Sequence, residues 1–135
     1  SIRFISNAIC KVLFDLPITL RQNRIFDYLY IDDLMPVIDY FIKNNGQHVS
    51  YNLTPDKAID LYSLAKKVLS ISGKDLPIQV AQDGLGIEYS GDNSRLRKEI
   101  SSLNLTPIDE AIKNLYDWYK TNQGLINKEL LLIDK

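Results

Sequence analysis

Apolar residues at Ile2, Ile5, Ile9, Val12 and Leu13 recur at the spacing of one helix face, which predicts an amphipathic helix over residues 3 to about 14 that stops before Pro17. The run Ile18 to Leu20 and, after the polar stretch Arg21 to Arg24, the β-branched and aromatic run Ile25 to Ile31 read as two short strands. Asp32 or Asp33 then supplies an N-cap for a helix whose buried stripe is Leu34, Val37, Ile38, Phe41 and Ile42, ending at Asn44-Asn45-Gly46. Val49 to Leu53 alternates like another strand, with His48 at its head. From about Asp60 to Ser72, Leu61, Leu64, Ala65 and Val68 mark the inward face of a helix with Gly73 at its C′ position. Pro77 to Ala81 predicts a fourth strand, residues 82 to 92 a glycine-rich loop, and Asn93 or Ser94 the cap of a short helix to about Ser102. Thr106-Pro107-x-Asp109 has the shape of a capping box with proline at N1, leading a helix with Ile108, Ala111, Ile112, Leu115 and Tyr119 inward and Gly124 at its end. Leu125 to Lys135 is apolar in patches and fits either a short docking helix or a loosely held tail. Short strands interleaved with about five helices, without repeats, give an α/β class of α+β-like character.

Composition narrows the picture. With 135 residues and 45% apolar content there is room for one compact domain and no second one. Sixteen basic against 17 acidic residues give a net charge of -1, which supplies no field for nucleic acid or an anionic membrane. A membrane helix needs roughly 20 apolar residues, and stretches such as Met35 to Ile42 are short and broken by Asp39. One cysteine, Cys10, and one histidine, His48, cannot make a disulfide or a Cys- or His-based metal site within the chain, so no metal and a reducing, cytoplasmic setting are expected. No secretory signal opens the sequence. The chain enters an apolar-patterned segment at Ser1 without a methionine or polar lead-in, and so reads as part of a longer polypeptide.

Three pieces then stand in register. Leu16-Pro17-Ile18-Thr19 followed by Phe26-Asp27-Tyr28-Leu29-Tyr30-Ile31-Asp32-Asp33-Leu34 is similar to "LPxx…RDxxYVDDL"; Val49-Ser50-Tyr51-Asn52-Leu53 is similar to a strand with "YNxG"; Tyr89 to Arg95, with Glu99-Ile100 and Thr106-Pro107, is similar to "YxxDxSKxxxELGxxP". Together they resemble the C-terminal half of the extended short-chain dehydrogenase/reductase family, the NAD-dependent sugar-nucleotide epimerases and dehydratases of carbohydrate biosynthesis. The resemblance covers the chain to about Lys120. It implies that residues 1 to 123 are a substrate-binding C-terminal part with 124 to 135 as a tail, and that the Rossmann half, with NAD(P) and the catalytic residues, lies upstream. Its implied partners are a sugar nucleotide and that Rossmann half; the helices of a parental homodimer would also lie there.

Chemistry that the resemblance asks for is missing here. A pyrophosphate-binding turn needs glycines that let backbone N–H groups at a helix start approach the phosphates, and Gly84-Leu85-Gly86 has Tyr89 where the third glycine belongs. Two Tyr-x-x-x-Lys spacings, Tyr62 to Lys66 and Tyr116 to Lys120, both follow the segment that the family's catalytic pair precedes, so neither is assigned catalysis. For the substrate, arginine donates two hydrogen bonds to one phosphate. The family has an arginine before the Asp of "RDxxYVDDL", and some members have another seven positions before the Tyr matched by Tyr89; this sequence has Phe26 and Gln82 there. Arg24, two residues before Phe26 and on the same face of an unbroken strand, is the first candidate for the anion, ahead of Arg21 and Arg95. Phe26 is suited to stack on a base or sugar, Tyr89 to donate its hydroxyl, and Thr19 and Leu20 to bind through backbone groups. Two alternatives stay open: an NADPH-dependent reductase of the same family, and a non-catalytic ligand-binding module.

Overall fold

The computed structural model describes residues 3 to 132. Helix α1 (Phe4–Leu13) leads into β1 (Ile18–Asn23) and the two-residue β2 (Ile25–Phe26), and a single 3-10 turn at Ile31–Asp33 opens α2 (Leu34–Lys43). After a long irregular stretch come β3 (Ile59–Asp60), α3 (Leu61–Ser72), β4 (Ile78–Leu85), α4 (Ser94–Glu99) and α5 (Ile108–Thr121), with 3-10 turns at Gln123–Leu125 and Lys128–Leu131. No helix among the described residues is long and apolar enough to cross a membrane.

One core forms where α3 packs against α1, α5 and β1. Ile9, Val12, Ile18, Leu64, Val68 and Ile112 are at most 2% exposed there, each burial contributing about 2 kcal/mol relative to solvent exposure. The 3.6-residue period places these side chains on one stripe of each helix, as the sequence predicts. Helix α3 is bounded by local chemistry at both ends. Asp60 accepts from the Ser63 N–H at 2.9 Å, and Gly73 takes a left-handed φ of 69° that closes the last turn. Cys10 is in this region, and burial pushes its thiol up to about 11. The chain end returns to α1: Leu131 is 1% exposed, and Lys128 Nζ lies 5.7 Å from the centre of the Phe14 ring. The expectations for Ile2 and for residues 133 to 135 lie outside the described residues.

A second, smaller cluster gathers Val37, Leu96, Ile100 and Leu103 under Phe41, Tyr51 and Leu53. Asp33 ties it to the rest. Its buried carboxylate accepts from the Thr106 N–H at 2.9 Å and the Thr106 hydroxyl at 2.6 Å.

Several predicted elements differ, each for a local reason. The strand expected over Ile25 to Ile31 survives only as Ile25–Phe26, because its pairing partner β3 is two residues long. No strand forms at Val49 to Leu53: no described segment offers a ladder there, and Val49 is fully exposed. Ile38 and Ile42, expected to be buried, are 40% and 77% exposed, because α2 is apolar on two faces and only the Val37 face is covered. Asp33 does not cap α2 with its side chain, which is committed to Thr106. That commitment also undoes the capping box, since Asp109 pairs with Lys67 at 2.7 Å and α5 starts at Ile108 with Pro107 as its N-cap. Asn93 holds the N-cap position of α4, as expected, but makes no side-chain cap hydrogen bond; Asp92 accepts from the Ser94 N–H instead, and the helix stops at Glu99 rather than near Ser102. Gly124 lies beyond the end of α5, which the Asn122 amide closes on the Trp118 carbonyl.

Candidate functional site

Strands β1 and β4 pair in parallel, Ile18 opposite Ile78 and Leu20 opposite Val80, until the register shifts after Gln22 and Gln82. Asn23 then pairs with Leu85, so Asp83 and Gly84 are extra residues on β4. Gly84 absorbs this bulge at a φ of 81°, a left-handed value that disfavours side chains. Beyond the bulge, the loop after β4 stays zipped to the chain between β1 and β2. Gly86 N–H donates to the Asn23 carbonyl at 2.8 Å, Tyr89 N–H to the Ile25 carbonyl at 2.9 Å, and Gly91 N–H to the Asp27 carboxylate at 2.6 Å.

This zip pairs two of the predicted site residues and clamps the backbone on either side of a third. Phe26 and Tyr89 form a bridge with ring centroids 6.2 Å apart and planes at 48°. Arg24 sits between β1 and β2, where the predicted strand is broken, and its side chain lies across Gly86. Tyr89 is 78% exposed, and Arg24 is exposed and makes no hydrogen bond or ion pair through its guanidinium among the described residues. The zipped segments thus carry an aromatic pair and, two residues before Phe26 in the chain, an uncommitted cation, the two kinds of group that contact a base or sugar and a phosphate.

The other candidates are spread more widely. Leu20 is 4% exposed, so only its backbone is available. Thr19 points to the other side of β1, and its hydroxyl receives the Lys11 ammonium at 2.5 Å. Gln82 is exposed and pairs in register with Gln22. Arg95 is on α4, beside Asp92, whose carboxyl is held below its ordinary value first by the Ser94 hydrogen bonds and then by Lys98 and Arg95. Sequence reasoning missed Gly86 and the Asp27 anchor; only the pairing register, which needs three dimensions, reveals them.

The decoys have structural occupations. Lys66 Nζ stands 5.2 Å above the centre of the Tyr62 ring on the surface of α3, over the ring face. Tyr116 is 6% exposed within the main core. The N–H groups that open α3 are already used: Leu61 donates to the Arg24 carbonyl, Tyr62 to Asn23 Oδ1 and Ser63 to Asp60. Gly84 serves the bulge and Gly86 precedes an irregular loop, so neither opens a helix. Neither the start of α3 nor the Gly84-Leu85-Gly86 turn therefore fits a dinucleotide pyrophosphate. His48 lies in a loop, 5.8 Å from the Tyr51 ring centre.

A hollow of about 490 Å³ lies elsewhere, between α2 and residues 44 to 53. None of the predicted site residues lines it.

No protein-family model matches the chain, and no curated protein matches its sequence significantly. Solved structures do. UDP-glucuronic acid 4-epimerase from Bacillus cereus, bound to UDP-glucuronic acid and NAD, superposes with a TM-score of 0.73 at 18% identity, over 89% of this chain and 40% of its own. A dTDP-glucose 4,6-dehydratase from Bacillus anthracis in complex with NAD gives 0.73 at 16% identity, over 96% and 42%. The chain has the fold of the C-terminal part of the extended short-chain dehydrogenases/reductases. The WbmF enzyme of Bordetella bronchiseptica, bound to NADH, matches equally well at 0.73 and 20% identity, over 96% and 39%. The chain therefore spans about two fifths of the length of these epimerase and dehydratase structures.

Proposed function

We propose that this chain is the substrate-binding part of an NAD-dependent sugar-nucleotide epimerase or dehydratase, residues 1 to 123 forming that part and 124 to 135 its tail. The intact enzyme oxidises a sugar carbon transiently; its cofactor loop and its tyrosine and lysine belong to preceding sequence, and the chain alone is inactive. The observation that carries the reading is the zip of residues 86 to 91 onto 23 to 27, which pairs Phe26 with Tyr89 and clamps the backbone around Arg24 within a fold shared with such enzymes. Arg24 holds the diphosphate, Phe26 and Tyr89 take the base or sugar, the backbone of Thr19 and Leu20 borders the nucleotide, and Gln82 and Arg95 flank it. The chain's share of the work is binding and orientation.

The partner half has its own support. Met35, Ile38 and Ile42 form an exposed apolar stripe along α2, with Ile31 exposed in the 3-10 turn before it, and the unpaired Val49 to Leu53 segment retains strand-like alternation. Both fit a surface closed by the cofactor half in the reducing cytoplasm. Titration of UDP-, dTDP- and GDP-sugars against the chain, and against the Arg24→Ala variant, tests the site. Saturable binding of one of them, weakened about tenfold or more by the substitution, is expected from loss of a charge-assisted hydrogen-bond pair. Absence of binding, together with an upstream sequence lacking a glycine-rich turn and a Tyr-x-x-x-Lys pair, would sink the proposal.

A further inference from the structure

The backbone at Arg24 is held from three directions. Its own carbonyl accepts from the Leu61 N–H at 3.0 Å, and the carbonyls on either side, Asn23 and Ile25, accept from Gly86 and Tyr89. The side chain then passes directly over Gly86. A Cβ at residue 86 would stand 2.7 Å from Arg24 Cγ, 2.8 Å from Arg24 Nε and 2.8 Å from Gln22 Oε1, closer than side-chain atoms can approach. Gly86 has no left-handed φ, unlike Gly73 and Gly84, so its backbone does not require glycine. Space for the arginine does.

We infer that Gly86 is a positioning residue for Arg24: the missing side chain leaves a slot that fixes the arginine stem and aims the guanidinium at the diphosphate. This rests on the proposed role of Arg24 and adds the residue that sets its direction. Arginine carries much rotamer freedom, and confining its stem before the ligand arrives lowers the ordering cost of binding. The contact involves Cγ and Nε, in the middle of the side chain, so a Cβ at residue 86 cannot be accommodated by a small swing of the tip.

The test uses the full chain titrated with UDP, dTDP and GDP, with thermal unfolding and the Arg24 Nε–H nuclear resonance as independent readouts. Gly86→Ala should weaken binding about tenfold, close to the loss in Arg24→Ala, with the unfolding midpoint unchanged and the Arg24 Nε–H signal displaced. In the Arg24→Ala background the same substitution should cost nothing further, because the two act through one side chain. Binding by Gly86→Ala equal to the unmodified chain, or additive losses in the double variant, overturns the inference while leaving the role of Arg24 standing. No loss in Arg24→Ala, or no nucleotide binding by the unmodified chain, overturns the role of Arg24 and the inference with it. Relaxation of the Nε–H group in the unmodified chain gives a check that needs no variant: a confined Arg24 is expected, and one as mobile as the Arg21 side chain overturns the slot.

Discussion

Two side chains hold the second cluster, and their chemistry predicts how it fails. Asp33 is 7% exposed and is satisfied by the N–H and hydroxyl of Thr106, 73 positions away. Replacing it with alanine leaves the half-buried Thr106 N–H without its acceptor, and Asp33→Ala should cost about 2 kcal/mol, read as a lower urea midpoint with an unchanged slope. Asp33→Asn keeps an acceptor oxygen and should recover a large part of that loss. Glu99 works at the other side of the cluster, accepting from Tyr51 at 2.7 Å, Tyr40 at 3.1 Å and the Gln47 N–H at 3.2 Å. The Tyr51 hydrogen bond, ahead of the other contacts, holds its carboxyl below the ordinary 4.5. A carboxyl with a depressed folded-state pKa stabilises the fold above its ordinary value, and that contribution disappears as pH falls through the folded-state pKa. Burial, then the bond to Glu99, raises the Tyr51 hydroxyl, so its contribution is full below 10 and is lost as pH rises through the higher folded value. The expected profile of thermal midpoint against pH is flat between these limits. Glu99→Gln should reduce the acid limb to the part contributed by other lowered carboxyls such as Asp56, Asp60 and Asp92, and an acid limb identical to that of the unmodified chain would show that Glu99 contributes nothing to it.

At the scale of elements, α3 was readable from the sequence at both ends because its signals are local: Asp60 and Gly73 each act within four residues. The Gly73 signal gives a prediction. With φ at 69° and no atom within 4 Å of an added Cβ, Gly73→Ala is penalised by backbone conformation alone, by about 1 kcal/mol, and Gly73→Asn by less. Equal denaturation midpoints for the alanine variant and the unmodified chain would refute that assignment. The inward faces of α1 and α5 were equally legible from periodicity. What failed was whatever depended on a distant partner. The Thr106 and Asp109 pattern matches a capping box, yet Asp33 and Lys67 claim the two side chains from elsewhere in the chain. The candidate site divides in the same way: the sequence points to Phe26 and Tyr89 and the two rings meet, whereas the strand face that would orient Arg24 is interrupted and its side chain lies across Gly86 instead.

For the whole molecule, the decisive asymmetry is between the two faces of α2. Val37, at 7% exposure, faces the second cluster, while Met35, Ile38 and Ile42 occupy one helical stripe at 56%, 40% and 77% exposure and Ile31, before the helix, is 68% exposed. Scattered exposed apolar residues are ordinary, but three aligned on one helix, with a fourth in the 3-10 turn that opens it, mark a contact surface. If the stripe serves a partner, charge placed on it leaves the chain's own folding intact. Ile38→Glu combined with Ile42→Glu should then shift unfolding free energy by less than about 0.5 kcal/mol, while lowering the binding of a hydrophobic dye. Val37→Glu, at the covered face of the same helix, should cost several times more, because it buries a charge without a partner. Joined to a cofactor half, the double variant should lose activity through failed assembly even though no residue near Arg24 has changed. Equal destabilisation by the double variant and by Val37→Glu would mean that the stripe supports the chain's own fold, and the cofactor half would then need another surface to dock on.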